Sequence, residues 1–327
     1  MRALIFTEGG SQIGLGHISR CSSLYDELEG RGLDVEFIIF GDSEDIGIIK
    51  NKKFKLINWL SIDFLNNYIK ESDYCIVDSY LASEELYRVI SNRAKKSLFI
   101  DDNGRIKYPK GIVVNPALST EEVSYQENDT TCYLLGPEYI ILRSPFIQVK
   151  RKTINSLVKN VLITLGGSDI HNLTPDILNQ FSSRYQDVKF YVVIGNAFKN
   201  IDEIKTYSSN NITFYENATA EEMKKIMLKS DFAITAAGQT IYELLATQTP
   251  FIPIKIIENQ SNNIAGLKKF NLVKTVLDFK DVDFLENMEL EFQKLLNMDK
   301  RNEIVTLFAD VIDGLGSKRL VDRMIAN

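Results

Sequence analysis

The chain has 327 residues, 44% of them hydrophobic and 25% charged, with 18 Gly and 7 Pro. That length predicts two domains rather than one, and the balance excludes collagen-like and low-complexity disordered chains. Its 38 basic and 44 acidic side chains leave a formal net charge of −6, which argues against a surface built to hold nucleic acid or anionic lipid.

In chain order, residues 3–7 read as a strand. Gly9-Gly10 follow, then a helix whose apolar positions Ile18, Cys21, Leu24, Tyr25 and Leu28 recur at helical spacing and which ends near Gly30 and Gly32. Further strands are expected at 35–40, 74–78, 97–101 and 111–115. From 137 to 160 the alternation pauses across Pro145 and Lys150-Arg151-Lys152, which places a boundary there and gives domains at 1–148 and 149–327. Beyond it lie strands at 161–165, 190–194, 212–215, 232–235 and 251–256, helices at 220–228 and 240–247, and a last apolar helix around 319–325. Strands alternating with helices predict the α/β class with parallel sheets.

The start, Met1-Arg2 and a short apolar run from Ala3 to Phe6, lacks the apolar core of a signal peptide, and no stretch reaches the roughly 18 apolar residues of a membrane span. Cys21, Cys75 and Cys132 are too scattered for a metal pair and suit a reducing compartment. A cytoplasmic protein without an integral membrane segment is expected.

Three strand ends carry candidate chemistry. Gly14-Leu15-Gly16-His17 opens the first helix; its spacing is not the dinucleotide pattern. Ile18, Cys21 and Leu24 claim the buried face, which leaves His17 at the mouth of a cleft, either as a general base kept neutral by the helix N-terminus or as a cap of the turn. Gly166-Gly167-Ser168 can present N–H donors to an anion or form a plain tight turn; His171 just beyond is a phosphate contact or a solvated loop histidine. Around Gly238-Gln239-Thr240, a diphosphate could meet N–H groups while Glu243 accepts ribose hydroxyls; Thr240 and Glu243 also fit a capping box. The amides of 258–263 suit sugar hydroxyls and N-acetyl groups, or ordinary turns. Asp281-Val282-Asp283 reads as a solvated loop or cap, and no Walker A loop, zinc-ligand cluster or nucleophile elbow is present.

Taken together, Gly14-x-Gly16-His17-x-x-Arg20, Val77-Asp78-Ser79-Tyr80, Ile100-Asp101-Asp102, Leu135-Gly136-Pro137-x-Tyr139-x-x-Leu142-Arg143, Leu165-Gly166-Gly167-Ser168-Asp169 and Glu258-Asn259-Gln260 resemble, in order and spacing, the UDP-sugar hydrolases of pseudaminic acid biosynthesis. The resemblance covers almost the whole chain. It implies a GT-B-like fold, two Rossmann-like α/β domains with parallel sheets facing across a cleft. It also implies cleavage of UDP-2,4-diacetamido-2,4,6-trideoxy-β-L-altropyranose, or a close UDP-deoxy amino sugar, to UDP and the free sugar. By position it makes His17 the catalytic histidine, Tyr80 its neighbouring aromatic hydroxyl and Glu243 the ribose ligand. Gly166, Gly167, Ser168, Gly238, Gln239 and Thr240 fall on the UDP side; Gly14, Gly16, Arg20 and Arg143 fall with Tyr80 on the sugar side, where Asn259 and Gln260 supply amides.

On this expectation His17 takes a proton from water as it attacks the anomeric carbon with inversion. UDP is a good leaving group, so neither metal nor cofactor is needed. Spore-coat polysaccharide proteins share these motifs, which makes transfer from a UDP-sugar donor to an acceptor hydroxyl the competing expectation. A non-catalytic UDP-sugar binding module is the third.

Overall fold

The computed structural model describes the chain apart from residues 11–14, 43–46, 122, 127–128, 150–152 and 327 and the side chains of Ile48 and Asn259. The cluster Lys150-Arg151-Lys152 lies outside the described residues. Two compact units emerge, Met1–Ser144 with Gly314–Asn327, and Pro145–Asp313.

Unit 1 runs β1 (Arg2–Glu8), α1 (Gly16–Gly30), β2 (Asp34–Phe40), β3 (Phe54–Leu56), α2 (Ile62–Tyr68), β4 (Tyr74–Asp78), α3 (Glu84–Arg93), β5 (Lys96–Ile100), β6 (Gly111–Asn115) and β7 (Thr131–Leu135). Its sheet has the order β3-β2-β1-β4-β5-β6-β7, parallel throughout. Because side chains alternate along a strand, β1 feeds two cores. Ala3 and Ile5 join Ile18, Cys21, Leu24 and Leu28 of α1, while Leu4 and Phe6 join Trp59, Leu65 of α2 and Leu86 and Ile90 of α3. Strands buried on both faces need nearly continuous apolar runs, which is why they were legible.

Unit 2 runs β8 (Asn160–Thr164), α4 (Leu173–Phe181), β9 (Lys189–Ile194), α5 (Ile201–Thr206), β10 (Ile212–Glu216), α6 (Ala220–Lys229), β11 (Phe232–Ala236), α7 (Thr240–Ala246), β12 (Phe251–Lys255), α8 (Ser261–Lys269), β13 (Leu277–Asp278), α9 (Phe284–Leu296) and α10 (Met298–Phe308). Its parallel sheet is ordered β10-β9-β8-β11-β12-β13. A capping box between Thr219 and Glu222 starts α6, and Arg301, fully buried, donates to the last carbonyls of α9 and to those of Asn155 and Ser156.

The expected second domain ran to residue 327. Instead α11 (Gly316–Ile325) belongs to unit 1. Leu320, Val321 and Met324 are fully buried in the α1 core, Arg31 bonds Asp322, and Arg319 donates to the Glu138 carbonyl. A Cβ on Gly316 would lie 2.1 Å from the Ile140 carbonyl oxygen, so only glycine allows this approach. Among the described residues no helix is long and apolar enough to cross a membrane.

Candidate active site

In unit 1 the chain leaves β1 for β2 and β3 on one side, then returns to add β4 on the other. Ligands of open parallel sheets bind beyond the carboxyl ends of strands at such a reversal. Glu8 ends β1 and Asp78 ends β4, and α1 brings His17 and Arg20, one helical turn apart, against Asp78. His17 Nδ1 lies 2.7 Å from Asp78 Oδ1. Arg20 donates to Asp78 through Nε and Nη2, both at 2.6 Å, and to Asp102 through Nη1 and Nη2, both at 2.9 Å. Tyr80 donates to Asp102 at 2.5 Å, and its ring stands edge-on to the His17 ring with centroids 4.7 Å apart.

The helix start does not lower the pKa of the imidazole, as the sequence alone suggested. Burial lowers the His17 pKa, but the Asp78 carboxylate outweighs it, and the net direction is upward. Nor does His17 cap the turn: Leu15 stands at the N-cap of α1 without a side-chain bond. Burial also works against charge on Asp78, yet Arg20 and His17 hold its carboxyl well below the usual carboxylate range. Burial and Asp102 push the Tyr80 phenol up, so it stays a donor.

Glu8, Asp78 and Asp102 escaped assignment as site residues. Asp78 and Asp102 belong to the Val77-Asp78-Ser79-Tyr80 and Ile100-Asp101-Asp102 segments, but nothing in sequence pairs groups 58 or 82 positions from Arg20. The available signal was an acid at the carboxyl end of each of three neighbouring strands. Gly16 is exposed at the first residue of α1, and Arg143 is half-buried in the segment after β7. Gly14 and the Asn259 side chain lie outside the described residues.

In unit 2 the reversal falls between β8 and β11, and there a pocket of about 300 Å³ opens. Gly166, Gly167 and Ser168 line it after β8, Gly238, Gln239 and Thr240 after β11, and Gln260 after β12. Gly166 has φ +85°, a left-handed conformation that glycine adopts without strain at the turn out of β8. Among the described residues the N–H groups of Gly167, Ser168, Gly238 and Gln239 donate to nothing within the chain. Such a ring of donors suits an anion.

Gln260, expected among sugar-side amides, lies in this same pocket. Its Oε1 accepts from Ile256 and Ile257 N–H at 2.8 and 3.4 Å, and its Nε2 points toward Gly238. Glu243 is buried on α7 and is not among the residues that line the pocket. The helix starts one residue earlier than a Thr240–Glu243 capping box requires, since Gln239 is its N-cap and makes no side-chain bond. Asp169 caps α4 by accepting from Leu173 and Thr174 N–H. His171 bonds the Ile256 carbonyl at 2.9 Å and stacks on Phe279, which gives it a structural role.

A family model for the glycosyltransferase family 28 C-terminal domain matches residues 160–307. A protein of Methanocaldococcus jannaschii is 33% identical over 270 residues, 77% of this chain and 55% of the relative. The pseudaminic acid cytidylyltransferase and UDP-2,4-diacetamido-2,4,6-trideoxy-β-L-altropyranose hydrolase of Helicobacter pylori is 25% identical over 84% of this chain and 49% of its own. The chain thus spans about half the length of these two relatives. The UDP-2,4-diacetamido-2,4,6-trideoxy-β-L-altropyranose hydrolase of Campylobacter jejuni is 22% identical, covering 82% of this chain and 97% of the relative. Among solved structures, MurG of Acinetobacter baumannii superimposes with a TM-score of 0.68 at 13% identity, covering 99% of both chains. The chain therefore has a GT-B-like fold of two parallel-sheet α/β domains, the second of which matches the glycosyltransferase family 28 C-terminal domain over residues 160–307.

Proposed function

We propose that this protein is an enzyme that hydrolyses a UDP-linked deoxy amino sugar at its anomeric C–O bond, with UDP-2,4-diacetamido-2,4,6-trideoxy-β-L-altropyranose or a near relative as substrate. The observation that carries the reading is the His17–Asp78 pair at the strand reversal of unit 1. Ionised Asp78 can only accept, so Nδ1 keeps its proton and Nε2 is the basic nitrogen. Nε2 takes a proton from water while the water oxygen bonds to the anomeric carbon from the face opposite UDP. The C1–O bond breaks, its electron pair leaves with the diphosphate, and the sugar emerges inverted. His17 then releases the proton to solvent.

UDP is assigned to unit 2, the diphosphate to the N–H groups beside Gly167, Ser168 and Gly238, and the ribose to Glu243. The donors at the glycine turns offset the charge that builds on the leaving group. Arg20, Tyr80 and Arg143 are assigned to the sugar. The relatives named as hydrolases support the reaction, and the family 28 match over 160–307 favours a second reading, transfer of the sugar to an acceptor hydroxyl with the same base.

Incubation with a panel of UDP-2,4-diacetamido sugars in ¹⁸O-water, without acceptor, tests this. Hydrolysis at C1–O places the label in the free sugar. Label in UDP would mean P–O cleavage, and release only on adding an acceptor would establish transfer.

A further inference from the structure

The proposed reaction gives no task to Glu8, a buried carboxylate within 4.0 Å of His17. The Glu8 side chain is 1% exposed at the end of β1. It grips the turn that follows β4: Oε2 accepts from Ser79 Oγ and from Leu81 N–H, and Oε1 accepts from Tyr80 N–H at 2.8 Å. Arg105 holds the same turn through the carbonyls of Ser79 and Ala82, and the Tyr87 hydroxyl donates to the Ser79 carbonyl. The residue this turn carries is Tyr80, whose ring packs edge-on to His17. Glu8 Oε1 also lies 4.0 Å from His17 Nε2, the nitrogen not bonded to Asp78. A neutral side chain could hold the turn's N–H groups; burying a charge there is costly unless the charge has a partner.

We propose that Glu8 is a positioning residue for His17, fixing the turn that seats Tyr80 against the imidazole and setting a second carboxylate beside Nε2. When Nε2 takes its proton, the ring then has one carboxylate at each nitrogen. No proton passes to Glu8; it leaves Nε2 for solvent. Among the described residues, the charged and titratable groups facing His17 are Asp78 from β4, Arg20 from its own helix, Glu8 from β1, and Tyr80 with its partner Asp102. The carboxylates favour the imidazolium and Arg20 opposes it. This inference rests on His17 as the base.

Glu8→Gln keeps the size and an acceptor for Tyr80 N–H while removing the charge. Titration of the His17 ring by NMR in the full chain needs no substrate, and the variant is expected to titrate at lower pH than wild type. Its kcat/KM for UDP release should fall by about tenfold or more, with UDP affinity by calorimetry within about twofold. An unchanged His17 midpoint overturns the proposal whatever the activity. If the variant does not fold, the wild-type chain with ¹³C-labelled glutamate decides the matter. The Glu8 carboxyl resonance should inflect at the pH where His17 titrates, and a flat resonance there overturns the proposal. If wild type turns over no UDP-sugar, the hydrolase reading falls, while both titrations still decide whether Glu8 acts on His17.

Discussion

Asp78 Oδ1 receives His17 Nδ1 at 2.7 Å and Arg20 Nη2 at 2.6 Å, so one oxygen anchors both the imidazole and the guanidinium. The ring is thereby held in one tautomer by an acid that is itself immobilised. Anchoring of this kind is what a base needs and a solvated histidine lacks.

Replacing His17 tests that distinction directly. General-base assistance contributes on the order of 100–10,000-fold, so His17→Asn should lose at least about 100-fold in turnover. UDP affinity, measured by calorimetry, should stay close to wild type because the nucleotide is assigned to unit 2. Near-normal turnover would remove His17 from the chemistry.

For Asp78→Asn the pH dependence is the sharper readout. The His17 pKa is raised above its ordinary value of 6.5, so its stabilising contribution is fully present below that value and is lost as pH rises through the folded-state pKa. Asp78 is depressed, so its contribution is fully present above its ordinary value of 3.8 and is lost as pH falls from there through the folded-state pKa, well away from the His17 transition. Urea midpoints of wild type should therefore decline as pH rises through the His17 transition, and the decline should vanish in the variant. The rising limb of kcat/KM should move to lower pH. Breaking a buried ion pair also costs about 3–5 kcal/mol, which would appear as a lower midpoint at every neutral pH. A pH slope unchanged from wild type would show that Asp78 does not set the His17 charge.

The nucleotide assignment can be probed without disturbing the fold. A Cβ at Gly238 would meet only Gln260 Nε2, at 3.8 Å, so Gly238→Ala should melt like wild type. It should nevertheless weaken UDP, because the methyl group stands where a diphosphate would approach the backbone. Glu243→Ala should weaken UDP by about 1–3 kcal/mol through loss of a charged hydrogen bond. Calorimetry showing wild-type affinity in both would place UDP elsewhere.

The sole tryptophan, Trp59, is fully buried in unit 1 and donates to the Thr7 carbonyl, so its fluorescence reports that unit. Leu320→Ala removes fully buried apolar volume and should lower the Trp59-detected unfolding free energy by about 2–5 kcal/mol. An unmoved Trp59 transition would mean that α11 adds nothing to the unit 1 core.

Most strands were readable because burial on both faces demands unbroken apolar runs such as Tyr74–Asp78 and Phe232–Ala236. β3, β7 and β13 were not: Phe54–Leu56 and Leu277–Asp278, three and two residues long, owe their extended form to neighbouring strands, while Thr131–Leu135 is an edge strand whose Cys132, Tyr133 and Leu135 are only partly buried. Within the site, glycines and His17 stood out by type and spacing. The carboxylates did not, since Glu8 and Asp102 gain meaning only when the strand order brings them beside Tyr80 and Arg20. His171 was ambiguous in sequence because its two partners, the Ile256 carbonyl and Phe279, are supplied by distant loops.

The chain leaves unit 1 at Ser144 and re-enters it at Gly314, which makes unit 2 an insertion. Synthesis therefore finishes the inserted unit before the helix that completes the host emerges. Domains fold as units during translation, so unit 2 can close while the α1 face of unit 1 still lacks Leu320, Val321 and Met324. A nascent chain of this protein thus carries an open apolar stripe until α11 has left the ribosome, and that interval is when a chaperone has most to cover.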